Sequence, residues 1–248
     1  DTLMRIFASG KVAGLMQKLG MEEGEAIEHP WVTKAIENAQ RKVEAHNFDI
    51  RKHLLDYDDV ANDQRKVIYQ QRDDLLKADS IEAAIKDMRL DVMENNFRQY
   101  VAMGSIDEQW DIEGLTASLT NEFGEELNIQ KWIDEDDHLD DESILEKICD
   151  YFEQSYVSKV ELVGADVARR YEKEIMLMVL DRHWKEHLAA MDHLRQGIGL
   201  RGYAQKNPKN EYKRESFEMF AYMMDQLKFN VISILSRAKF KGEEDATA

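Results

Sequence analysis

Residues 177–208 read LMVLDRHWKEHLAAMDHLRQGIGLRGYAQKNP. Leu177, Leu180, Trp184, Leu188, Met191, Leu194 and Ile198 recur at intervals of three and four, the period of one apolar helical face. Gly197, Gly199 and Gly202 then interrupt the pattern, and Asn207-Pro208 restarts it with a capping side chain followed by a residue suited to a first helical turn. Further on, Phe217, Phe220, Met223, Leu227, Val231 and Ile234 repeat the same spacing. Two apolar stripes joined by a glycine-punctuated turn predict an antiparallel helical hairpin over 165–240. Its seam is expected to hold Leu180, Trp184, Leu188, Met191, Leu194, Phe220, Leu227 and Val231. Met176, Met178, Met219 and Met224 widen that face, enough for the hairpin to pack on a further helix as well.

Upstream, Pro30 suits a helix start, and no Gly or Pro occurs from Trp31 to Met103. Val32, Ile36, Ala39, Val43, Ile50, Leu54, Tyr57, Ala61 and Ile68 keep helical spacing. One helix over 30–77 would be roughly 70 Å long at 1.5 Å per residue, a spine for other parts. A break is expected near Ala78–Ser80, where Asp79 or Ser80 can cap a new helix. Before the spine, Leu3, Ile6, Phe7, Leu15 and Leu19 mark an amphipathic helix over 3–19, ended by Gly20 and Gly24. The first residue is Asp1 rather than Met, so the chain is expected to begin inside a longer protein.

Between spine and hairpin the character changes. Residues 79–164 hold 23 Asp/Glu against 6 Lys/Arg, whereas 165–240 hold 10 against 14, so the acidity of the whole chain (net charge -17) is concentrated in one segment. Apolar pieces at Ile81–Tyr100, Trp110–Leu119, Ile129–Ile133 and Ile144–Val163 are separated in part by Gly104, Gly114 and Gly124, with an acidic loop at Asp134–Asp137 and Asp140–Glu142. This reads as a small inserted helical subdomain, whose charge either attracts a basic partner or simply keeps the surface solvated. The overall class is all-α: 43% of the 248 residues are apolar, and only 2 Pro and 12 Gly are available for the turns that sheets require. Cys149 is the only cysteine, so no disulfide can form within the chain, which suits a reducing compartment. No apolar run approaches the roughly 18 residues needed to cross a bilayer.

Catalytic signatures are scarce. No phosphate-binding or dinucleotide-binding glycine motif and no Cys/His zinc spacing is present. His183-Trp184-Lys185-Glu186-His187 matches the H-x-x-E-H pattern of some zinc proteases. Trp184 lies on the apolar seam, however, and no third ligand stands at a telling spacing, so the reading is structural: Lys185 and Glu186 solvated, the histidines at the seam's rim. The tip Leu200–Lys209 is basic with one aromatic residue, Tyr203. The patch is short and its acidic neighbour would repel a polyanion, so a polypeptide is a better fit than nucleic acid. The plainer reading is a turn whose Tyr packs back on its own helices.

Five strings carry a family resemblance: DTLMRIF at 1–7, IEHPWV at 27–32, LLDYDDVANDQR at 54–65, WKEHL at 184–188 and LRGYAQK at 200–206. In their order and spacing the chain resembles the C-terminal third of the SecA family, the motor ATPases of bacterial preprotein translocation. The resemblance implies the trailing end of the second motor domain at 1–24, the long helix of the helical scaffold at 25–78, the helical wing at 79–164 and the two-helix finger at 165–240, with a disordered tail at 241–248. The finger would restrain ATP hydrolysis by the motor core. Its tip (Ile198, Leu200, Arg201, Tyr203, Gln205 and Lys206) would meet the translocating polypeptide at the mouth of the SecYEG channel, with the family's fingertip tyrosine falling on Tyr203. The implied partners are SecYEG, unfolded preprotein and the upstream motor domains, with no nucleic acid. The implied location is the bacterial cytoplasm and the cytoplasmic face of the inner membrane, as a peripheral protein. Within the chain no catalytic residue, cofactor or metal is implied, and ATP and Mg belong to the full-length parent. Two departures stand out. The family's Cys- and His-rich zinc tail is absent after Lys241, and Gly199 stands where the family commonly carries histidine. A standalone helical adaptor that binds a basic partner is the alternative.

Overall fold

The computed structural model describes residues 30–136, 139–205 and 207–239. The expected helix at 3–19, Asp137, Lys206 and the tail at 241–248 lie outside them. Seven α-helices and no strand occur among the described residues, in agreement with the all-α reading: α1 (Pro30–Lys77), α2 (Glu82–Arg98), α3 (Ile112–Ser118), α4 (Ile129–Glu135), α5 (Asp141–Val163), α6 (Ala165–Gly197) and α7 (Pro208–Arg237). A single π-helical turn, Leu119–Phe123, follows α3, and a 3-10 turn, Ile198–Ala204, follows α6.

The chain divides into two units, Asp1–Val60 and Ala61–Ala248. In the first, the described part is helix, and its apolar residues stay largely in solvent: Ile36, Phe48, Ile50 and Leu55 are all exposed. In the second, one row of α1 (Gln64, Ile68 and Leu75) and Ala78 just beyond its end turn inward. The helix ends at Lys77, and Lys173 of α6 donates to the freed carbonyl of Ala78 at 2.6 Å. The break falls where expected, but the N-cap of α2 is Ile81, without a side-chain cap bond, and neither Asp79 nor Ser80 takes that position. The Ser80 hydroxyl accepts from the Glu82 N–H at 3.2 Å from one residue earlier.

Most of the acidic residues expected in a loop between α4 and α5 prove to build helices. Asp134 and Glu135 complete α4. Asp140 caps α5, accepting from the Ser143 N–H at 2.8 Å, while Asp141 and Glu142 form its first turn, where carboxylates oppose the helix dipole. Asp141 is buried and pairs with Arg98 of α2, which holds its carboxyl below the usual range. Asp111 and Asn128 cap α3 and α4 in the same way. Gly114, expected to separate elements, instead lies inside α3. A Cβ there would come within 2.3 Å of the Asp111 carboxylate and 2.9 Å of the Tyr100 ring, so its lack of side chain makes room for the cap.

The inserted segment does not keep a core of its own. Phe97, Val101, Leu115, Leu119, Phe123, Ile129, Ile144, Ile148 and Phe152 form one continuous cluster with Val179, Leu180, Leu227, Val231 and Leu235 of the last two helices. Phe123 joins the two halves, packing edge-on against Phe152 of α5 and Phe229 of α7 with centroids 5.7 and 5.5 Å away. Only Gly164 connects α5 to α6. Its φ of 84° and ψ of 144° lie where glycine alone is at ease, which lets two long helices change direction across one residue.

Candidate functional site

The hairpin is formed by α6 and α7, 33 and 30 residues long. Asn207 caps α7 through its Oδ1, accepting from the N–H groups of Lys209 and Asn210, and Pro208 occupies the first turn. Of the seam positions, Leu180, Trp184, Met191, Leu227 and Val231 are buried, and Leu188, Leu194 and Phe220 are half-buried. Phe217 departs from the expected stripe, at 71% exposure. Near the tip the α7 seam runs instead through Tyr212 and Ser216, both 2% exposed or less. Spacing of three and four locates a face only to within about one residue, and burial falls on Ser216 rather than on its neighbour Phe217.

Two polar side chains escaped the apolar pattern, although each keeps its spacing. His187 follows Trp184 by three, and Ser216 follows Tyr212 by four. His187 is buried between aromatic rings, stacked on Trp184 (centroids 5.7 Å apart) and edge-on to Phe220 (5.6 Å). Its Nε2 lies 2.8 Å from Oε1 of Gln64 on α1, and Nε2 of Gln64 donates to the Ser216 carbonyl at 3.0 Å. One buried amide thus bridges α1, α6 and α7. His183 turns elsewhere, with its Nε2 facing the side-chain amide of Asn230 at 2.8 Å. The two histidines of the H-x-x-E-H string therefore serve separate hydrogen bonds, with Lys185 and Glu186 exposed beside them. Among the described residues no three His, Cys, Asp or Glu side chains converge as metal ligands would.

At the tip, the structure separates residues that the sequence grouped. Ile198 is only 3% exposed, so it closes the end of the seam rather than presenting a contact surface. An apolar residue at the last turn of a stripe is shielded once the chain folds back over it. Leu200, by contrast, is 67% exposed. Arg201 forks onto the Glu215 carboxylate of α7 through Nε at 3.1 Å and Nη2 at 3.3 Å, bracing the turn. Gln205 is exposed and takes a left-handed φ of 58°, so the chain reverses there and not at a glycine. Tyr203 lies in the 3-10 turn, and its side chain is outside the described residues.

Residues 26–239 match the family model of the SecA wing and scaffold domain. The chain belongs to that family. It is 58% identical over 248 residues, its full length, to a protein translocase subunit SecA of Nitrosococcus oceani, and 58% identical over 245 residues (99% of the chain) to that of Methylococcus capsulatus. It spans 28% and 27% of the lengths of these SecA relatives.

In this SecA wing and scaffold chain, a buried charge network joins α2 and α5 to the hairpin. Arg89 of α2, 5% exposed, pairs with Glu153 of α5 and lies 4.1 Å over the Tyr156 ring. Burial pulls the Arg89 pKa down, and Glu153 opposes that pull. The Tyr156 hydroxyl donates to Glu172 of α6 at 2.5 Å; burial and Glu172 push its pKa up, so it keeps its proton. Glu172 is fully buried and pairs with Arg169, which reaches Glu82 at 2.5 Å.

Burial lowers the pKa of both His187 and His183, with Arg182 adding to the effect on His183. Their neutral forms are therefore favoured in the folded state, and the unfolded chain takes up protons first as pH falls below about 6.5. Their contribution is complete above that pH and is lost as pH falls toward the depressed native values. Urea titrations between pH 7.5 and 5.0 are expected to show a falling unfolding free energy, with a shallower fall in His187→Gln. An unchanged slope in that variant would mean that His187 titrates as freely in the folded chain as in the unfolded one.

Proposed function

We propose that this chain is the mechanical and regulatory portion of a SecA ATPase that drives preproteins through the SecYEG channel. The observation that carries the reading is the hairpin: two long helices around a buried seam, ending in a braced turn that leaves Leu200 in solvent. Such a lever transmits displacement along its axis and presents apolar surface to an unfolded chain. Residues 165–240 act as the two-helix finger and 79–164 as the wing. Residues 25–78 are the long scaffold helix, and 1–24 the end of the second motor domain. The finger tip, made of Leu200, Arg201, Tyr203, Gln205 and Lys206, contacts the translocating polypeptide. The hairpin restrains ATP hydrolysis by the upstream motor domains, where ATP and Mg bind. Along α1, the exposed Ile36 and Ile50 stand at heptad spacing with Val43, an apolar stripe suited to packing against those domains. The protein works in the cytoplasm and peripherally at the inner membrane. No helix among the described residues is long and apolar enough to cross a membrane.

In the full-length protein, Tyr203→Ala is expected to impair translocation of a preprotein into vesicles far more than it impairs ATP hydrolysis without substrate. Equal loss of both would make Tyr203 a structural residue and overturn its contact role. The isolated chain should hydrolyse no ATP and should slow a separately supplied motor core. An unaffected core would remove the regulatory part of the reading.

A further inference from the structure

We propose that Gln64 is a positioning residue that fixes the register of the hairpin on α1, so that displacement of one carries the other. The inference rests on the reading of the hairpin as a translocation finger.

Gln64 is 9% exposed and uses both ends of one planar amide. Donation from Nε2 to the Ser216 carbonyl leaves Oε1 as the acceptor facing His187. His187 must then carry its proton on Nε2, so a single amide sets the tautomer on one arm while gripping the backbone of the other. The rings of Trp184 and Phe220 against His187 provide an apolar wall around the bond. Ile68, 1% exposed, fills the next turn of α1.

Other contacts between Ala61–Lys77 and the hairpin are more tolerant of sliding. The Arg72–Asp181 ion pair, 3.2 Å long, has side chains 42% and 44% exposed, and long exposed side chains can follow a moving partner. Apolar contacts such as those of Ile68 and Leu75 are non-directional. The two bonds of Gln64 are directional. A register step of α1 by one residue couples a rise of about 1.5 Å to a rotation of about 100°, which would turn the amide away from both partners. A leucine at this position would avoid the cost of burying an amide. A buried polar group that specifies one register among several apolar alternatives accounts for the glutamine.

The test uses the full-length protein and two variants, Gln64→Leu and the double variant Gln64→Leu/His187→Leu. The readouts are the melting temperature and the ratio of preprotein-stimulated to basal ATP hydrolysis. Gln64→Leu should lower both, the ratio at least threefold, because it removes the register and strands the His187 N–H. The double variant replaces the buried polar pair by apolar side chains, so its melting temperature should return toward wild type while the ratio stays low. Recovery of the ratio together with the melting temperature would show that the amide only stabilises, and would overturn the proposal. So would a ratio within twofold of wild type in Gln64→Leu. Tyr203→Ala separates the two readings. If that variant translocates normally, the finger reading fails. If it does not, and Gln64→Leu keeps its ratio, only the positioning role fails.

Discussion

Trp184→Ala should lower the unfolding free energy by about 3–5 kcal/mol, the range for truncating a large aromatic side chain in a core. Trp184 is 7% exposed in the hairpin seam and stacks on His187. Its loss leaves a cavity that rigid neighbouring helices cannot close, and it exposes the Gln64–His187 bond to water. The second effect weakens a polar contact that depends on its apolar wall. Denaturant titration followed by circular dichroism measures the change, and Trp184→Phe should recover part of it. A loss below about 1 kcal/mol would show that the indole packs against little, since partial burial costs correspondingly less.

Arg169→Met should have an effect of similar size for a different reason. Glu172 is fully buried, and its Oε2 has no hydrogen-bond partner among the described residues. Its carboxylate depends on Arg169 and the Tyr156 hydroxyl. Removing one partner of a buried pair typically costs about 3–5 kcal/mol, because the remaining charge stays desolvated. The double variant Arg169→Met/Glu172→Gln removes that charge while keeping an acceptor for Tyr156, so it should regain most of the stability. Equal losses in the single and double variants would mean that the damage comes from packing rather than charge.

Much of this architecture was legible in the residues themselves. Asn207-Pro208 marked the start of α7, and Asp79-Ser80 marked a break after Lys77. These are local devices, set by the backbone needs of one helix end, and they read the same way in any context. The acidic run before α5 was harder. A carboxylate that caps a helix and one that floats in solvent are the same letter, and only the Ser143 N–H above Asp140 distinguishes them. The same limit applies at the tip. Ile198 and Leu200 are equally apolar and two residues apart, yet one closes the seam and the other faces water.

Spacing and breakers by themselves determined that this protein is helical and that its last third folds back on itself around Trp184 and Leu227. Periodicity is a one-dimensional property, and a stripe every three or four residues has to be buried against something. Only the tertiary structure decided what that something is. The α7 seam passes through Ser216 instead of Phe217, the Arg89–Glu172 network binds α2 and α5 to the hairpin, and Gln64 holds both arms to α1. Each of these depends on which side chains from distant parts of the chain share one dry space, where a polar group must find its partner or pay for its burial. No pattern along the sequence encodes that pairing.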